Sequence, residues 1–173
     1  NKFWFAQGDG HLYSWYKAHS KNLDVEIKDP NVWVSQIQGP KSLKLLEKLV
    51  DQPLKNNFNY FDWIETSIAS EEVIISRTGF TNELGWEIYL RPENDSKKIG
   101  DLILSKGEEM GMILTASPGF RCRRIEAGLL SAGRDFTRDR SPFAVGLGKF
   151  IDFNKGDFIG RDYLLNASKD CLT

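Results

Sequence analysis

The five residues Trp86-Glu87-Ile88-Tyr89-Leu90 run apolar, charged, apolar, phenolic, apolar, and Gly79 and Gly85 bracket the short loop before them. Alternate side chains of a β-strand share a face. Trp86, Ile88 and Leu90 are therefore expected to face a core, with Glu87 and Tyr89 side by side on the opposite surface. A strand of this kind needs partner strands and a second layer to cover its apolar side.

The rest of the chain offers both. Aromatic and β-branched runs at 3–7, 25–27, 32–38, 61–68, 73–77, 143–147 and 150–153 read as strands, and the pair at 61–77 reads as a hairpin. Helical spacing of Leu12, Trp15, Tyr16 and His19 predicts a helix after the Gly8-Asp9-Gly10 break. A second helix follows Gly39-Pro40, where a proline without an N–H suits the first turn. It carries Leu43, Leu46 and Val50, with Leu45 and Leu49 beside them. Further helices are expected at 96–110, with Ile99, Leu102, Ile103 and Met110 on one face, at 118–130, and from 162 to 167. Residues 51–60 read as a loop. The fold class is α+β: mixed or antiparallel sheets with helices packed on them.

Composition narrows the partners. With 173 residues there is room for one sizeable core. The net charge of −1 provides no overall attraction to nucleic acid or to an anionic membrane. No apolar run approaches the roughly 20 residues that span a bilayer. Cys122 and Cys171 have neither disulfide nor zinc spacing and read as free thiols of a reducing, cytoplasmic compartment. Two histidines leave little material for a metal site, and none is assigned.

Several residues are candidates for chemistry. Glu87 and Tyr89 are either a solvated outer face or a polar surface able to hydrogen-bond a heterocycle. Phe80 is either a core aromatic or the wall against which such a ring stacks. Arg121, Arg123 and Arg124, with Arg134, Arg138 and Arg140 beyond, are interleaved with Asp135 and Asp139. They read as surface ion pairs or as cations for an anionic tail. Arg124 lies near the apolar side of its helix and reads as structural, and Arg77 is similar. His19 reads as packing.

The run Arg77-Thr78-Gly79-Phe80-Thr81-Asn82-Glu83-Leu84-Gly85-Trp86-Glu87-Ile88-Tyr89 resembles a segment of the glycine-cleavage T-protein (aminomethyltransferase) family. Phe80, Asn82 and Trp86 stand where relatives carry Tyr, Gly and Phe. Gln36-Ile37-Gln38-Gly39-Pro40-Lys41-Ser42 resembles the family's strand-to-helix junction, and Arg124-Ile125-Glu126-Ala127-Gly128-Leu129 its Arg-Leu-Glu-Ala-Gly-Leu helix. Ser141-Pro142-Phe143 and Lys155-Gly156-Asp157-Phe158-Ile159-Gly160-Arg161 resemble segments leading towards its C-terminal domain. The opening Phe3-Trp4-Phe5-Ala6, with Asp24-Val25-Glu26-Ile27 and the run at 36–42, looks more like the tetrahydrofolate-dependent demethylase branch; in a sulfonium demethylase of that branch, aromatics matching Phe80 and Tyr89 border the methyl donor.

The resemblance implies the folate-binding region of the T-protein fold without its C-terminal barrel. Residues 1–153 would be part of that region, its N-terminal portion absent, and 154–173 a connection towards the missing domain. It implies one-carbon transfer, aminomethyl or methyl, to tetrahydrofolate. The donor would be a small molecule or an aminomethyl-lipoyl carrier protein. Glu87 and Phe80 would bind the pterin. Phe120 stands where many relatives carry an Arg that serves the folate, so Arg121 takes over or the contact is lost. Tyr89, Asp9 and His11 would border the substrate. The family's catalytic Asp would lie upstream of residue 1, so the isolated chain is expected to be inactive. Two alternatives are a non-enzymatic folate-binding relative and a T-like domain of a larger dehydrogenase. Against the first, Lys155-Gly156-Asp157-Phe158 lacks the Cys those relatives carry.

Overall fold

A computed structural model describes residues 2–6, 12–54, 57–115 and 117–170. The chain divides into two compact units, Asn1–Leu129 and Leu130–Thr173.

The first unit is built on a four-stranded antiparallel sheet in the order β1-β4-β3-β2. The strands are β1 (Trp33–Gln38), β2 (Trp63–Ile68), β3 (Glu71–Ser76) and β4 (Gly85–Leu90). The register sets Ser35 opposite Ile88 and Ile37 opposite Trp86, and Ile75 opposite both Ile88 and Ile64. Ile37, Trp86, Ile88, Leu90, Val73, Ile75 and Ile68 thus share one buried face. Two helices cover it: α2 (Ser42–Leu49) through Leu45, Leu46 and Leu49, and α3 (Ser96–Glu108) through Ile99 and Ile103. Each of these side chains, fully buried, contributes about 1.5–3 kcal/mol of transfer free energy. The chain is α+β, and its sheet is antiparallel.

Local chemistry sets the element ends. Asp95 caps α3 by accepting from the Lys98 N–H at 3.0 Å. Beyond α3, the Met112 N–H bonds back to the Gly107 carbonyl at 2.8 Å. That return brings 112–115 alongside β1. The next helix, α4 (Ser117–Glu126), stops four residues short of the expected 130. Gly128 adopts φ +68° there, and the Leu129 and Gly128 N–H groups bond to the Arg124 and Ile125 carbonyls. This glycine cap terminates the helix.

The N-terminal helix α1 (Leu12–His19) forms where the spacing predicts it. His19 packs its ring against Trp15, 4.3 Å between centres, and stays exposed. The strands expected at 3–7 and 25–27 do not form within the described residues. Residues 3–6 and 25–27 pair with no neighbouring strand, and an extended segment without a ladder leaves its backbone groups to water.

In the second unit the strands expected at 143–147 and 150–153 are also absent. The Gly146 and Leu147 N–H groups turn back to the Phe143 and Pro142 carbonyls, and 148–150 is a single 3-10 turn. The aromatics gather on one another instead of alternating between faces. Phe143 stacks on Phe153 at 6.4 Å, and Phe153 meets Phe158 at 6.3 Å. Helix α5 (Arg161–Asp170) follows.

Candidate functional site

The sheet face away from α2 and α3 carries the polar half of β4. Register places Gln36 of β1 and Ser76 of β3 on either side of Glu87, and Val34 and Ile74 on either side of Tyr89. Glu87 is held by three donors. The Gln36 amide Nε2 donates to its Oε1 at 2.6 Å. The Thr78 hydroxyl and the Tyr89 hydroxyl, the latter at 3.1 Å, both donate to Oε2. Burial, and then the neighbouring Glu87 charge, push the Tyr89 phenol above its ordinary pKa. Tyr89 therefore keeps its proton at neutral pH and remains a donor to the carboxylate. Farther along the face, Arg91 lies 3.7 Å from both Glu65 and Glu72.

The loop before β4 is folded around one side chain. Gln38, the last residue of β1, lies against Gly79 and Gly85, where an added Cβ would overlap its amide. The Thr81 hydroxyl, buried in the loop, donates to Gln38 Oε1 at 2.6 Å. The Leu84 carbonyl accepts from the Gly39 N–H at 2.8 Å and from the Ser42 hydroxyl at 2.9 Å. Glu83 pairs with Arg123 of α4, which also reaches Glu126 at 2.7 Å. The two motif segments at 36–42 and 77–89 are thus one structural unit.

This anchoring leaves Phe80 outside, 38% exposed. It lines a groove of about 730 Å³ along the outer edge of β1. Gln36, Gln38, Ile103, Met112, Leu114 and Phe120 also form its walls. Glu87 and Tyr89 do not line it; Gln36 joins the two regions, as it borders the groove and touches Glu87.

The other expected residues are distributed as follows. Arg121 is exposed on α4, while its neighbour Phe120 faces the groove. Arg124 is buried and donates to the Leu129 carbonyl at 2.9 Å, and Arg77 to the Phe58 carbonyl at 2.5 Å, so both are structural. Asp9 and His11 lie outside the described residues. Among the described residues no group of three or more His, Cys, Asp or Glu is placed to hold a metal ion. Sequence reasoning did not single out Gln36 and Thr78 as partners of Glu87. Alternation puts Gln36 on a strand face, but its meeting with Glu87 depends on pairing across 51 residues.

Comparison with known proteins decides the family. Residues 1–155 match the family described as the GCVT N-terminal domain. The chain belongs to the glycine-cleavage T-protein family. Similar T-protein relatives include the aminomethyltransferase of Caldanaerobacter subterraneus subsp. tengcongensis, 36% identical over 92% of this chain and 43% of that protein. The aminomethyltransferase of Thermotoga maritima is 34% identical over 91% of this chain and 43% of its own length. That of Clostridium botulinum is 33% identical, with 92% and 44% covered. The chain spans less than half the length of these T-proteins.

Proposed function

We propose that this chain binds tetrahydrofolate and belongs to an enzyme that transfers an aminomethyl-derived one-carbon unit to it. The observation that carries the reading is the held carboxylate of Glu87. Its three protein donors fix its orientation without exhausting it: a carboxylate has about four lone-pair positions. Gln36 takes one on Oε1, and Thr78 and Tyr89 take both on Oε2. One position on Oε1 stays open to an N–H of a ligand. A pterin ring presents such donors along one edge, and Phe80 offers an exposed aromatic wall in the groove that Gln36, the partner of Glu87, also borders. These residues bind and orient the ring. The transfer chemistry resides on the folate and the one-carbon donor.

The aminomethyltransferase names of the relatives support the aminomethyl group as cargo. A lipoyl carrier protein is the partner that fits such cargo, and the cytoplasm or an equivalent reducing compartment is the location that fits exposed Cys122. Calorimetric titration with tetrahydrofolate tests the site. Glu87→Ala is expected to weaken binding at least tenfold, the loss of one charge-assisted hydrogen bond. Equal affinity of the two proteins would remove Glu87 from the site.

A further inference from the structure

Resting on the reading of Glu87 as the ligand carboxylate, we infer that Gln36 is a specificity-determining residue, supplying a second acceptor for a ligand edge with two adjacent N–H donors. Both lone-pair positions of Glu87 Oε2 are taken, by Thr78 and by Tyr89. Glu87 therefore cannot grip two parallel donors through its two oxygens, the fork geometry that carboxylates otherwise use. It offers one further position on Oε1.

The Gln36 amide resolves the mismatch. Its nitrogen is spent on Oε1 of Glu87 at 2.6 Å. An amide has separate donor and acceptor ends, so the hydrogen bond that orients the nitrogen also orients the carbonyl oxygen beside it. The pair then presents two acceptors in a row, one carboxylate oxygen and one amide oxygen. A ring N–H flanked by an exocyclic amino group, as in a 2-amino-4-oxopyrimidine edge, fits that row. A ring lacking the amino group satisfies only one. The position of Gln36 suits this role: its side chain is exposed, it borders the groove that Phe80 lines, and β1 bonds to β4 alone among the described strands. A ligand without the amino group leaves the exposed Gln36 oxygen to water and forfeits one net hydrogen bond.

The test is calorimetric titration of the full chain with two probes. One is tetrahydrofolate, and the other is its counterpart in which a methyl replaces the 2-amino group. The chain should prefer tetrahydrofolate about tenfold, one hydrogen bond's worth. Gln36→Leu also removes a donor that holds Glu87, so both probes should weaken, tetrahydrofolate about tenfold more than the methyl counterpart, and the preference disappears. Gln36→Val, a second substitution suited to an edge strand, should behave identically. Equal weakening of both probes in these variants would show a merely structural Gln36 and overturn the inference, as would an intact preference. Glu87→Ala separates the two levels. If it binds tetrahydrofolate as the parent does, or if the parent binds neither probe, the reading of the Glu87 site itself falls. If Glu87→Ala loses binding while the Gln36 variants keep the preference, only the inference falls.

Discussion

Glu87 draws its donors from β1, from the β3–β4 loop and from its own strand, so single substitutions dissect the arrangement. Tyr89→Phe removes one donor and should cost about 1 kcal/mol at neutral pH. The Tyr89 pKa is raised in the folded state, so the folded protein holds that proton more tightly. The resulting stability is complete below the unfolded value of about 10 and is lost as pH rises through the folded value. Urea unfolding from pH 7 to pH 11 should therefore show the gap between parent and Tyr89→Phe narrowing above about pH 10. Gly85→Ala forces a methyl into the Gln38 amide and should cost about 1–3 kcal/mol. Adding Gln38→Ala should recover part of that loss, a non-additivity measurable in a double-mutant cycle. The shared face of Glu87 and Tyr89 was legible from alternation alone. The Gln38 contact behind Gly79 and Gly85 was not, because it joins residues brought together only by the β1–β4 register.

Among the elements, the β2–β3 hairpin shows how a strained turn is held. Ala69 and Ser70 both adopt positive φ, +53° and +65°, at the two positions of the connection. Such turns favour Asn-Gly, since side chains with a Cβ resist that region. Neighbours compensate: Asp51 accepts from the Ser70 N–H at 2.8 Å, and Lys98 donates to the Ala69 carbonyl at 2.6 Å. Replacing Ala69-Ser70 by Asn-Gly should stabilise the chain by about 1–2 kcal/mol, read as a higher urea midpoint with an unchanged slope. The Asp51 carboxyl lies below its ordinary pKa, first through the Ser67 side chain and then through the Ser70 N–H. Its contribution is present above the unfolded value of about 3.9 and is lost as pH falls through the lower folded value. The stability gap between parent and Asp51→Asn should accordingly close below about pH 4.

The elements that were legible share a cause. Helix α3 and strand β4 each carry a complete apolar period, so a local pattern is enough to find them. Residues 3–6 and 25–27 have strand-like composition but no partner in the sheet, and pairing is a long-range property. At 143–153 the same aromatic content serves a ring cluster.

At the scale of the whole molecule, family membership and the α+β class rest on the full match at 1–155 and on the sheet with its two covering helices. The curated aminomethyltransferases extend well beyond the segment that this chain spans. Binding by the Glu87 face is therefore the property for which the chain itself can be tested. Nuclear magnetic resonance of the ¹⁵N-labelled chain, titrated with tetrahydrofolate, tests it most directly. Binding there should shift the side-chain amide of Gln36 and the backbone amides of 86–90 first and furthest, with Phe80 close behind. Shifts confined to the second unit, or none on β4, would contradict it.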